Sequence, residues 1–387
     1  MKRTGSHPIL LAAVAGAGVA LLAGVLGAGA SAQPNSSPHS RGFVLTILDR
    51  LGEGSNPQAD TSVELGSDGR ALISYYDGEN GDLKVAHCRN VVCRGARIAV
   101  VDQEGDVGRW SSVAIGADGL GLISYYDATN AALKVAHCQN VACSIAATAT
   151  IDSEGGPSSI AVGVDGRGLI AFVANDALKV AHCSDVACST ATLATIDVVQ
   201  GETHPSIAIG ADGLGLISYS NRAEDNPRLD VAHCLDMACS AATIATPWLC
   251  FCELTTSIAI GSDGLGLIST ADIDSNLAVV HCSNLDCSAG TATYVGLSLV
   301  RAGSIAVGAD GFGLVSSIIG DGPGLHVTHC EDVACSTATN TSVDPRASTE
   351  GYTSISIGAD ARPLISYYQD SDLKVAYCSR PSCEPRG

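Results

Sequence analysis

Hydrophobic and polar positions along the chain fall into one short pattern that returns seven times. A run such as Ser159-Ile160-Ala161-Val162-Gly163 alternates large and small residues and meets a G-x-D-G turn. A nearly continuous apolar run comes next, as in Gly121-Leu122-Ile123-Ser124-Tyr125-Tyr126, then a third run, Leu133-Lys134-Val135-Ala136-His137. A C-x4-C segment separates this from a fourth run, Ala147-Thr148-Ala149-Thr150-Ile151-Asp152. Period-two alternation over such lengths predicts strands, and Asp-Gly readily supplies the positive φ angles of a tight hairpin turn. Each unit therefore reads as four strands, here called A to D.

The first cysteine of the unit recurs every 45 to 51 residues. Repeats of that length with four strands each predict the blades of a β-propeller, so the expected fold class is all-β, a seven-bladed propeller of four-stranded blades, with a β-solenoid as the alternative. Small residues on strand A suit the crowded axis, which makes A the innermost strand and D the outermost. The seventh unit has no strand D of its own after Cys383. An unmatched D-like run, Phe43-Val44-Leu45-Thr46-Ile47-Leu48-Asp49, precedes the first unit. Its expected role is to complete the last blade, which closes the ring and removes the exposed edges of an open array.

Composition fits this picture. The 387 residues are 46% hydrophobic but only 4% aromatic, and 43 are glycine, so the apolar share is mostly small and branched side chains suited to thin packed strands. The net charge of -19 argues against nucleic acid or an anionic lipid surface as partner. Residues 1–32 read as a secretory signal peptide, with Lys2 and Arg3, an apolar run from Ile9 to Gly27, and a cleavage site at Ala30-Ser31-Ala32; an uncleaved membrane anchor is the alternative. Residues 33–41 read as a short disordered leader and 42–387 as the propeller. No later segment is apolar enough to span a membrane, so the expectation is an exported, monomeric protein.

The phrases SIAIGADGLGLISY, ISYYD and DLKVAHC resemble a repeat of exported bacterial proteins of largely uncharacterised function, loosely sialidase-like in plan. The resemblance covers nearly the whole mature chain. It implies a propeller and leaves the activity open, because propellers host many unrelated functions.

Candidate chemistry has to be sorted against the repeat. His137 and Cys138 are neighbours on one strand and point to opposite faces, so the H-C-x4-C pattern is a poor zinc site. In an exported protein the pairs read as disulfides: Cys88 with Cys93, Cys138 with Cys143, Cys183 with Cys188, Cys234 with Cys239, Cys282 with Cys287, Cys330 with Cys335, and Cys378 with Cys383. The state of Cys250 and Cys252 is left open by the sequence. The repeated histidines, His87 to His329, read as buried hydrogen-bonding groups between blades, and the turn aspartates, Asp68 to Asp360, as turn formers. The loop holding Asp77, Asn80 and Asp82 is a weak calcium candidate.

Chain direction puts the A–B and C–D turns at one end of the ring and the varied D–A and B–C loops at the other, where binding residues gather on a rigid frame. Two residues before the serine that opens strand A, the units carry Asp60, Trp110, Pro157, His204, Thr255, Ala302 and Tyr352. Candidate ligand-binding residues are Arg109, Trp110, His204, Trp248, Phe251 and Tyr352, and the expected ligand is a glycan or an extracellular protein. A sialidase-like or other glycan-cleaving enzyme is the alternative. It would draw on Arg109, Arg222, Arg228 and Arg301 with Tyr125 or Tyr352, although no catalytic motif spaces them. A structural surface protein is the third reading.

Overall fold

The computed structural model describes residues 42–51, 60–201, 203–222, 227–250, 252–298, 300–320, 324–347 and 351–385, without the side chains of 253, 254, 301 and 302. The signal and leader segments, and Phe251, lie outside the described residues. The chain forms seven four-stranded antiparallel sheets, each ordered A-B-C-D from the axis outwards. Blade 1 runs through Thr61–Leu65, Ala71–Asp77, Asp82–Cys88 and Ala96–Asp102. Blades 2 to 6 repeat it. In blade 7 the outer strand is Phe43–Asp49, paired antiparallel with Asp372–Cys378. The closure expected from the unmatched first run is present. No helix among the described residues is long and apolar enough to cross a membrane.

The apolar core is divided among the blade junctions. Strand B is buried on both faces, which is why it reads as an unbroken apolar run, and its side chains pack into the neighbouring blade. Leu122 and Leu133 of blade 2 thus meet Ile170 and Phe172 of blade 3 in one cluster. Glycine opens strand B in blade 2 because a Cβ on Gly121 would lie 2.5 Å from Leu72 and 2.9 Å from the Cys138 sulfur.

Two sets of hydroxyls tie the inner strands together. Strand A is an edge, so its outward N–H groups need partners from elsewhere. Val63, Val113, Ile160, Ile207, Ile258 and Ile305 each donate their N–H to the strand A serine of the preceding blade, Ser354, Ser62, Ser112, Ser159, Ser206 and Ser257, at 3.0–3.3 Å. Crowding alone does not account for these serines. One residue nearer the variable end, Thr61, Ser111, Ser158, Thr256 and Thr353 bond to Ser366, Ser74, Ser124, Ser218 and Ser316 of the preceding blade. Blade 4 has Pro205 here, and the serine it would have met is Ala171.

All seven C-x4-C pairs are disulfides, with Cα atoms 4.7–5.0 Å apart. Cys250 and Cys252 are also joined, across a Cα separation of 5.0 Å. The repeated histidines are largely buried, and their polar partner is within the blade and not across a junction. Each turns to the A–B turn of its own blade, as His137 Nε2 does to Asp118 Oδ2 at 2.8 Å, while Asp118 Oδ1 accepts the Leu120 N–H. The same hydrogen bond recurs at His182, His233, His281 and His329, and His87 Nε2 stands 3.1 Å from Asp68 Oδ2. In blade 7 Tyr377 takes over and bonds Asp360 through its hydroxyl. The contact also places the A–B turns and the ends of strand C at one end of the ring.

Candidate functional site at the variable mouth of the axis

Three stacked layers line a cavity of about 150 Å3 on the axis. The two inner layers consist of the hydroxyl sets just described, which hold blades together, with Ser304, and are interrupted by Pro205 and Gly303. The outermost layer holds Asp60, Trp110, Pro157, His204, Thr255 and Tyr352. These positions differ from blade to blade, so the mouth is where the sevenfold scaffold becomes asymmetric.

Aromatic rings meet across the mouth. Trp110 lies 5.2 Å from the Tyr126 ring and meets the His204 imidazole edge-on at 5.8 Å. His204 in turn lies 5.5 Å from Tyr352 at a tilt of 33°. Residues from blades 2, 4 and 7 thus converge, and only ring closure brings them within reach.

Trp110 is placed by a local distortion. The strand Val107–Ile115 has register breaks between Val107 and Arg109 and again between Arg109 and Ser112. Trp110 itself sits at φ 52°. A bulky residue in the left-handed region costs on the order of 1–3 kcal/mol, and bulges commonly re-aim a side chain next to a site. Gly108, at φ 106°, permits the distortion, since a Cβ there would stand 2.7 Å from the Leu83 Cα.

Asp60 brings the one described carboxylate of the mouth. Burial pushes its carboxyl up to about 6, with the His204 charge pulling the other way. The same surroundings raise the buried Tyr368 hydroxyl, through burial first and the Asp60 charge second. Tyr368 donates its hydroxyl to the Tyr76 carbonyl at 3.1 Å, within reach of the Asp60 charge.

Other sequence candidates fall elsewhere. Arg109 does not line the cavity. Its guanidinium pairs with Asp106 at 2.5 Å and lies over the Tyr76 ring at 5.5 Å, which braces the base of the Trp110 bulge. Arg228 pairs with the buried Asp230 at 2.9 Å, and Arg222 packs beside Gly201. Neither they nor Arg109 form the arginine cluster of a sialidase-like centre, and the Arg301 side chain lies outside the described residues. Tyr125 is fully buried with its hydroxyl on Asp102. Trp248 stands on the outer rim of blade 4, against Tyr294 of blade 5. Asp77 is held by Lys84 at 2.6 Å and by Asn80 at 2.9 Å, so its oxygens already serve a closed turn. Among the described residues no group of three or more His, Cys, Asp or Glu side chains is placed to hold a metal. Asp60, Tyr76 and Tyr368 were not among the sequence candidates. The signal for Asp60 was its register with Trp110, His204 and Tyr352.

The fold and its closure define the chain as a seven-bladed β-propeller. No protein-family model matches the sequence, and neither does any curated protein. Among solved structures it is similar to a fungal alcohol oxidase of the AA5 family in complex with copper, at 13% identity and TM-score 0.56, covering 88% of this chain and 76% of that one. It is also similar to the α-L-arabinofuranosidase Arb93A from Fusarium graminearum in complex with an iminosugar inhibitor, at 11% identity and TM-score 0.54, over 88% and 98% of the two chains. A third is an ulvan lyase of polysaccharide lyase family PL25, at 11% identity and TM-score 0.52, over 87% and 94%. At such identities the likeness is one of fold alone.

Proposed function

We propose that this chain is an exported glycan-binding propeller whose ligand sits in the variable mouth of the axis. The observation that carries the reading is the convergence of Trp110, His204 and Tyr352 beside Asp60 above walls of serine and threonine. A sugar ring has an apolar C–H face and a rim of hydroxyls. Flat aromatic faces suit the first, and a carboxylate with neighbouring hydroxyls suits the second. The strained backbone at Trp110 supports a role for that ring beyond packing. Two of the similar structures are glycan-active enzymes, an arabinofuranosidase and an ulvan lyase.

Binding is favoured over cleavage. Glycosidases ordinarily flank the scissile bond with two carboxyl groups, and the described mouth supplies only Asp60. The deciding experiment is calorimetric titration of the full chain with cello-, xylo-, manno- and chitohexaose, alongside a Trp110→Ala variant. The expected result is binding of at least one saccharide that weakens by about tenfold or more in the variant. Equal affinity in the two proteins, with the variant folded, removes the mouth as the site.

A further inference from the structure

A second set of aromatics lies where the repeat breaks its own rule. In most junctions the residue ending strand D is an aspartate that latches onto the next blade. Asp49, Asp102, Asp197 and Asp344 each accept the hydroxyl of a buried strand B tyrosine, Tyr75, Tyr125, Tyr219 and Tyr367, at 2.6–2.8 Å. Lys84, Lys134, Lys179 and Lys374 on strand C add ion pairs to Asp49, Asp102, Asp152 and Asp344. The aspartates share one register position, opposite Leu373, Leu83, Leu133, Leu178 and Leu325.

At two consecutive junctions the latch is gone. Trp248 stands opposite Leu229 where blade 4 should have its aspartate. In blade 5 the position is Gly296, flanked by Val295 and Leu297, whose N–H and C=O both bond Leu277. The partners change in step: blade 5 has Thr270 and Ala278 in place of the tyrosine and lysine, and blade 6 has Ser317, whose buried hydroxyl meets no hydrogen-bond partner among the described residues.

A cleft of about 500 Å3 opens at this corner, lined by Asp272, Asn276, Tyr294, Gly296, Leu297 and Ser298. Tyr294 is 58% exposed, yet it is fixed at both ends. Its hydroxyl bonds Asp272, its pKa is raised by burial and then by that bond, and its ring meets Trp248 at 6.0 Å and 74°. Asn276, which lines the cleft, is oriented too, donating its side-chain N–H to both Asp272 carboxylate oxygens at 3.1 Å. Leu249 and Ile273, 67% and 63% exposed, flank the platform. A rigid aromatic face that loses little entropy on contact, next to an amide and the exposed Ser298 hydroxyl, is the chemistry that holds a sugar ring. No described lining residue is cationic, and the chain carries a net charge of -19, so an acidic sugar is disfavoured.

We propose that the cleft formed by Tyr294, Asn276 and Ser298 is a second saccharide site, which takes one neutral pyranose unit of a glycan chain. The choice of ligand class rests on the glycan-binding reading of the axial mouth. The two sites are separable, because the protein has only two tryptophans: Trp110 lines the mouth, and Trp248 packs against Tyr294 of the cleft. In Trp110→Phe the remaining Trp248 reports the outer cleft; in Trp248→Phe the remaining Trp110 reports the mouth.

The experiment titrates both full-length variants with cello-, xylo-, manno- and chitohexaose and follows tryptophan emission. The expected result is a saturable change at Trp248 whose half-point moves about tenfold higher on adding Tyr294→Ala and is largely restored by Tyr294→Phe. A Trp248 signal that stays flat with all four saccharides overturns the outer site, as does one indifferent to Tyr294→Ala. The Trp110 signal judges the mouth independently. A response at Trp248 with silence at Trp110 retains this site and removes the axial one.

Discussion

At the scale of single residues, Asp60 and Trp110 carry the functional argument. The Asp60 carboxyl is raised to about 6 by burial, so across the range between its ordinary value and 6 the folded state holds a proton that the unfolded state has lost. The contribution to stability is therefore favourable at low pH and is lost as pH rises through about 6. Asp60→Asn is expected to flatten that decline, so that the variant gains on the wild type in thermal midpoint between pH 5 and pH 7.5. The ionised carboxylate is the better acceptor for sugar hydroxyls. Saccharide affinity at the mouth should accordingly rise through about pH 6 in the wild type and lose this step in Asp60→Asn. A pH profile unchanged by the substitution would detach Asp60 from both roles.

At the scale of elements, blades are joined by a device that no single blade reveals. The Asp102 carboxyl would be raised by burial, but hydrogen bonds from Lys134 and Tyr125 outweigh this and hold it below its ordinary value; Lys374 and Tyr367 do the same for Asp344. Such groups stabilise the fold fully above the unfolded value near 4, and the contribution drains away as pH falls through the lower folded value. Asp102→Ala leaves the buried Lys134 without its closest counter-charge and the Tyr125 hydroxyl without its acceptor. The expected cost is about 3 kcal/mol in denaturant titration at pH 7. A change below about 1 kcal/mol, as exposed ion pairs give, would show that the latch contributes packing alone. The aspartate ending strand D is visible in the repeat, but its partners lie in the next unit, so its meaning as a junction is not.

At the scale of the whole molecule, closure holds the ring. Removing residues 42–49 would uncover the edge of Asp372–Cys378 and also delete the Asp49 latch to Tyr75. The expected outcome is loss of the single cooperative calorimetric transition together with self-association measured by light scattering. A truncated chain that stays monodisperse with an unchanged melting temperature would show that closure is dispensable. Much of this architecture was already determined by the sequence: the seven units, the order of strands, the borrowed closing strand and the paired cysteines. Each follows from local periodicity or from counting equivalent positions, and local signals survive without tertiary information. Tertiary structure alone decided which varied residues meet. Trp110, His204 and Tyr352 come from blades 2, 4 and 7 and share a mouth because the ring wraps them around one axis. Arg109, next in sequence to Trp110, is diverted to Asp106 by the bulge, and Trp248, which composition groups with Trp110, is carried to the rim by its place at the end of an outer strand. Distance from the axis is set by a strand's rank in its blade, so residues far apart in the chain converge at the centre while look-alikes are sent to opposite margins.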